Sequence, residues 1–162
     1  MKILMVCLGN ICRSPLAEGI LDDKAKKAGL DWEIDSAGTS HYHTDEPPHK
    51  LSQKVAKMHG IDISQQMCRQ FQEEDMLHFD KIYAMDNDVY NDIKRISGEL
   101  WNASKTDLLM NEIYPGENVD VPDPWYDGEE KYHFVYDMID KACSAIIEKY
   151  KSQKSKVKKE TV

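Results

Sequence analysis

No apolar run in this chain of 162 residues approaches membrane-spanning length, which predicts a soluble protein with no membrane partner. Its N-terminal apolar stretch carries one Lys and is broken by Gly-Asn and Arg, too short and too interrupted for a secretory signal. Cysteines number only four and follow no framework spacing, so the expected compartment is the reducing cytoplasm. Cys68 and Cys143 stand alone, and His41 with His43 has no third ligand nearby, so no metal is expected. Basic residues are the minority, 21 Lys and Arg against 29 Asp and Glu, and a net charge of −8 argues against a nucleic-acid partner. The deficit is deeper in the body, because residues 151–162 hold five Lys against one Glu and leave −12 on residues 1–150. That Lys-rich end, without an aromatic residue, is expected to be a disordered tail on a single domain of residues 1–150. Internal repeats and interdomain linkers are also missing.

What the sequence does have is a regular alternation of apolar patterns. Lys2–Val6 is a fully apolar strand, and Pro15–Ala28 carries Leu16, Ile20 and Leu21 at helical spacing before stopping at Gly29. Trp32–Ser36 reads as a second strand with Ala37-Gly38 as a turn, Leu51–Met58 as an amphipathic helix, and Asp80–Met85 as a third strand. A polar helix around Asn87–Ile96, a strand at Lys105–Leu109 and a final helix over Tyr132–Tyr150 complete the pattern. Strands separated by helices predict an α/β fold with a parallel sheet and right-handed crossovers. Ligands of such folds sit at the carboxyl ends of the strands.

At the carboxyl end of the first strand stands Cys7-Leu8-Gly9-Asn10-Ile11-Cys12-Arg13-Ser14-Pro15. A thiol opens this segment and a guanidinium closes it, with five residues between them. Gly9 and Asn10 tolerate left-handed backbone, so successive N–H groups can curl inward around an anion. The helix that starts at Ser14-Pro15 adds its positive end to the same spot. Both effects favour a thiolate, which makes Cys7 a candidate nucleophile. Arg13 offers a planar fork for two phosphoryl oxygens, a geometry that Lys lacks. A Cys after a buried strand is more often a small core residue, and it is the complete strand–thiol–nest–guanidinium–helix arrangement that points to covalent phosphoryl chemistry.

Far downstream, Val121-Pro122-Asp123-Pro124-Trp125-Tyr126 holds an Asp bracketed by prolines. The residue before a proline is kept extended, so Asp123 sits on a stiffened segment, as an acid that protonates a leaving oxygen requires. On its own an Asp-Pro pair is an ordinary turn signal. Beside a phosphate-trapping thiol loop it becomes the candidate proton donor.

The run from Val6 through Glu18 strongly resembles the low-molecular-weight protein tyrosine phosphatases. Ile34–Ser40, Gly60–Ser64, Ala84-Met85-Asp86 and Asp123-Pro124-Trp125-Tyr126 extend that resemblance over nearly the whole chain. It implies a three-layer sandwich with a four-stranded parallel sheet flanked by helices, and no metal or organic cofactor. It implies hydrolysis of phosphotyrosine in proteins with Cys7 as the nucleophile that becomes phosphocysteine. Arg13 then holds the phosphoryl group, within a binding loop of Leu8, Gly9, Asn10, Ile11, Cys12, Arg13 and Ser14. Asp123 would be the acid of the first step and the base of the second. By the same resemblance Ser14 bonds the Cys7 sulfur, Ser36 braces Asn10, and Cys12 is the thiol able to form a reversible disulfide with Cys7. Bacterial members often act on tyrosine kinases of polysaccharide export. Two departures stand out: Gln66 replaces a frequent His, and Pro48-His49-Lys50-Leu51 stands where Asp-Pro-Arg is expected.

Leu8 and Ile11 offer aliphatic walls, and Tyr42, Trp125 and Tyr126 an aromatic rim that suits a phenyl ring. Protein arginine phosphatases of the same architecture carry Thr where Ile11 stands. An arsenate reductase of this fold needs a downstream cysteine pair, and Cys68 has no near partner. A phosphocysteine carrier of sugar transport is disfavoured by Arg13 and Asp123, which promote hydrolysis.

Overall fold

A computed structural model describes residues 1–160, with side chains through Lys156. Four strands, β1 (Lys2–Cys7), β2 (Glu33–Gly38), β3 (Lys81–Ala84) and β4 (Thr106–Leu108), form one parallel sheet in the order β2-β1-β3-β4. The helices are α1 (Arg13–Lys27), α2 (Lys50–Met58), α3 (Asp75–His78), α4 (Asn87–Ser97) and α5 (Glu129–Glu160). β1 lies between two partners and is buried on both faces from Ile3 onward, which is why Ile3–Cys7 reads as an unbroken apolar run. Alternation splits its side chains between two cores: Ile3 and Met5 pack with Leu16, Ile20 and Tyr132 of α1 and α5, while Leu4 and Val6 pack with Phe71, Phe79 and Ile93 on the α4 side. The sandwich is therefore three-layered. Each such side chain removed from water contributes roughly 1.5–3 kcal/mol, so the strand that carries the thiol is anchored from both sides.

Several boundaries differ from the periodicity. The helix expected from Pro15 begins at Arg13, because Cys12 closes the loop only one residue earlier. Gly29, with φ +72°, ends α1 as expected. Ala37-Gly38 is not a turn; it continues β2, with Ala37 opposite Val6 and Gly38 opposite Cys7. A Cβ on Gly38 would lie 2.8 Å from the Asn10 nitrogen and 2.8 Å from the Gly9 carbonyl carbon, so the glycine serves close approach and not chain reversal. The short α3 has no counterpart in the pattern reading. Its Asp75 carboxylate and Asp35 both hold the Arg69 guanidinium, which pins residues 68–70 beside the end of β2.

The final helix does not stop at Tyr150 but runs on to Glu160, through a segment expected to be disordered. No Gly or Pro interrupts it, and Lys-rich helix ends suit the helix dipole. Lys151 to Lys156 are exposed and add nothing to the core; residues 161–162 of the expected tail lie outside the described residues. Among the described residues no helix is long and apolar enough to cross a membrane.

Candidate active site

β1 delivers Cys7 to the carboxyl edge of the sheet, where its side chain is buried at the base of a cleft of about 190 Å³. Asn10 adopts a left-handed φ of +56°, the conformation its residue type tolerates, and turns its N–H back onto the Cys7 sulfur at 3.2 Å. The Ser14 hydroxyl lies 3.1 Å from the same sulfur. The Asn10 N–H is a donor aimed at that sulfur, and the Ser14 hydroxyl is placed to be a second. Cys12 provides no side-chain cap to α1, so the positive end of that helix faces the cleft without a competing carboxylate or hydroxyl from its cap residue.

Every polar group of Asn10 is engaged. Its amide donates to Ser14 Oγ at 2.8 Å and to Ser36 Oγ at 3.0 Å, and its Oδ1 accepts from the Arg69 N–H at 2.9 Å. Its main-chain carbonyl accepts from the Cys68 thiol at 2.6 Å. Ser36 in turn donates to Glu18 Oε1 at 2.7 Å. Burial, then Asp35 and Asp22, push the Glu18 carboxyl up to about 7 despite the Ser36 bond. Asn10, Ser14 and Ser36 thus stand behind the loop as its frame, while Leu8, Gly9, Ile11 and Cys12 line the cleft.

Arg13 is 2% exposed and reaches the cleft from the first turn of α1. Its Nη1 is held by the Asp86 carboxylate and by the Val121 carbonyl at 2.9 Å, and its Nη2 lies 3.6 Å from Asp123 Oδ2. Burial opposes its charge, but Cys7, Asp86 and Asp123 hold it above its ordinary range. One end of the fork is therefore already fixed by protein, which aims the guanidinium before any ligand arrives. Asp86 also caps α4 by accepting from the Val89 N–H at 2.8 Å, so one carboxylate sets both a helix and the Arg13 guanidinium.

Asp123 stands across the cleft from Cys7, with its side chain 42% exposed. Tyr42 and Tyr126 are 81% and 96% exposed and Trp125 38%, so all three form the mouth and none is a core residue. His43 also lines the mouth, whereas His41 merely stacks on Tyr42. Cys12 is buried beneath the loop, 3.5 Å from the Tyr132 hydroxyl, and burial above all pushes its thiol up to about 12. At the departures, Gln66 donates to the Pro15 carbonyl at 3.1 Å, and His49 caps α2 by accepting from the Leu51 N–H.

The expected site residues thus converge, and pattern reading missed Asp86, Glu18, Cys68, His43 and His49 as neighbours of the loop. Asp86 had one usable signal, an Asp between a strand and a helix, which marks a cap. The other four had none at the level of spacing.

A family model described as low molecular weight phosphotyrosine protein phosphatase matches residues 2–160. The chain is 36% identical over 155 residues to the low molecular weight protein-tyrosine-phosphatase YfkJ of Bacillus subtilis, covering 94% of this chain and 97% of the relative. Its fold is similar to that of a crystal structure of a protein tyrosine phosphatase from Entamoeba histolytica with Hepes in the active site. The TM-score is 0.86 at 35% identity, over 95% of this chain and 99% of that one. A Drosophila arginine phosphatase is also similar, with a TM-score of 0.86 and 32% identity over 93% of this chain and 98% of that one.

Proposed function

The chain belongs to the low molecular weight phosphotyrosine protein phosphatase family, and on that premise we propose that it hydrolyses phosphotyrosine in proteins with Cys7, Arg13 and Asp123 as its catalytic residues. The observation that carries this is one cleft with a doubly hydrogen-bonded sulfur at its base and the Arg13–Asp123 pair above it. In the first step the Cys7 sulfur attacks phosphorus, the bond to the tyrosine oxygen breaks, and Asp123 gives that oxygen its proton. In the second, water attacks phosphocysteine, Asp123 takes a proton from it, and phosphate leaves as the sulfur regains its electron pair. Arg13 and the loop N–H groups stabilise the equatorial oxygens in both steps. Ser14 and Asn10 support the sulfur as nucleophile and as leaving group.

Tyr42, Trp125 and Tyr126 make a flat mouth that fits a phenyl ring. The domain we assign to this activity is residues 1–150, and its substrates are cytoplasmic phosphoproteins, a bacterial tyrosine kinase among them. We also assign Cys12 as the thiol that condenses with a peroxide-generated sulfenic acid on Cys7, releasing water and forming a disulfide. After matched peroxide treatment, wild type should recover with a thiol reductant and Cys12→Ser should not, with a Cys7–Cys12 link seen by mass spectrometry only in the former. Equal recovery would leave Cys12 as packing.

The catalytic assignment is tested on phosphotyrosine peptides with phosphoarginine and arsenate as controls. Cys7→Ser should abolish turnover and Arg13→Lys should impair it severely. Asp123→Asn should lose about 10²–10⁴-fold on phenolic leaving groups and least on activated aryl phosphates. The likeness to an arginine phosphatase makes phosphoarginine the informative control: a wild-type preference for it would overturn the tyrosine reading.

A further inference from the structure

Trp125 sits two residues beyond Asp123, and its main-chain N–H donates to Asp123 Oδ1 at 3.1 Å, so the carboxylate is tied to the backbone that carries the indole. Two histidine rings face that indole. His43 lies 5.1 Å from it between centroids, and His49 lies 5.4 Å away, edge-on at 74°. Neither histidine is free to wander. The Nδ1 of His43 bonds the Glu46 carboxylate, and its ring lies so close over the phosphate loop that a Cβ on Gly9 would be 3.2 Å from it.

His49 is tied at four points. Its N–H donates to the Ile11 carbonyl at 2.8 Å, and its Nδ1 accepts from the Leu51 N–H at 3.1 Å. Its ring stacks on the buried Tyr132 at 5.2 Å and 22°, and the Tyr132 hydroxyl reaches Cys12. The fourth contact is Trp125 itself. Burial, then His43 and Lys50, lower the pKa of His49, which keeps the ring neutral as its accepting Nδ1 requires.

We propose that His43 and His49 clamp Trp125 and thereby position Asp123 opposite Arg13, holding the proton donor in register with the phosphate loop. The clamp rests on the reading of Asp123 as the general acid. Both histidines are positioning residues; neither passes a proton. Trp125 alone would be a mouth residue that touches substrate. Fixed between two rings that are anchored to the loop, it becomes the part that carries the loop's position to the acid. The departure over Pro48–Leu51 acquires a purpose, since it brings in a ring at His49 that Asp-Pro-Arg does not have.

The test compares kcat/KM across a series of aryl phosphates whose phenols range from acidic to weakly acidic. His49→Asn keeps an acceptor for the Leu51 N–H and removes the ring, so α2 stays capped; His43→Gln removes the other ring. Each should lower kcat/KM roughly 3- to 10-fold for the poorest leaving groups, the range that aromatic contacts of this size carry, and least for dinitrophenyl phosphate. On an Asp123→Asn background neither should add to that leaving-group dependence. A loss equal for all leaving groups, or one that adds fully to Asp123→Asn, overturns the clamp and leaves the rings as substrate contacts. If Asp123→Asn alone shows no leaving-group dependence, the acid assignment fails, and the clamp with it. That result is told apart because it appears before either histidine is changed.

Discussion

At the scale of single residues, Glu18 is a carboxyl whose burial carries a cost. It holds no substrate, yet its carboxyl ends the relay that runs through Ser36 and Asn10 to Ser14 and the Cys7 sulfur. Burial raises it from 4.5 to about 7, so the folded protein holds this proton more tightly than the unfolded chain. Its contribution to stability is then fully present below about pH 4.5 and is lost as pH rises through about 7. At roughly 1.4 kcal/mol for each tenfold change, the ionised carboxyl costs up to roughly 3 kcal/mol. Glu18→Gln retains an acceptor for Ser36 and cannot ionise. It should be more stable than wild type at pH 8 by up to that amount and close to it at pH 5, as read by denaturant unfolding at both values. An identical difference at the two pH values would mean that ionisation of Glu18 is not what the substitution changes.

At the scale of elements, the end of β2 matters as much as the loop it supports. Gly38 pairs with Cys7, and the atoms a methyl group would meet there are main-chain atoms of residues 8–10, which have no alternative rotamer. Gly38→Ala must displace the backbone of residues 8–10. It should cost about 1–3 kcal/mol of stability as overpacking does and weaken competitive inhibition by inorganic phosphate. Unchanged inhibition would show that the loop tolerates the shift. A two-residue Ala-Gly reads locally as a turn, and nothing in its neighbours reveals that another stretch of backbone passes within contact. β1, β3, α1 and α4 were legible because burial on one or both faces writes a period into the sequence. α3, with four residues, is too short to show one. The helix past Tyr150 lacks apolar spacing altogether, so composition suggested a coil there, while the absence of Gly and Pro let the helix run on.

At the scale of the whole molecule, alternation of strands and helices was enough to read a parallel three-layer sandwich, and the thiol loop was readable because its parts are contiguous. Asp123 was readable through its two prolines. The groups that hold these parts together were not. Arg13 meets Asp86 from 73 positions away and the Val121 carbonyl from 108, and His49 meets Trp125 only because the start of α2 and the loop that carries Asp123 meet in space. Such partners are chosen by tertiary packing and leave no local trace. The clamp and the Glu18 relay belong to this class.

The sheet order has a consequence for how the protein is made. β1 precedes the other three strands in the sequence and is one of the two inner strands of the finished sheet. Its partner β2 comes from residues 33–38 and β3 only from residues 81–84, while α1 waits for α5, the last helix, to cover it. Parallel pairs close only after their crossover is complete, and domains are synthesised from the N-terminus onward. Cys7 is therefore made before Asp86, the counter-ion of Arg13, and before Asp123. Cys7 and Asp123 can meet only after the segment between them has been made, so a chain that stops short of residue 123 holds the thiol without the carboxylate that faces Arg13.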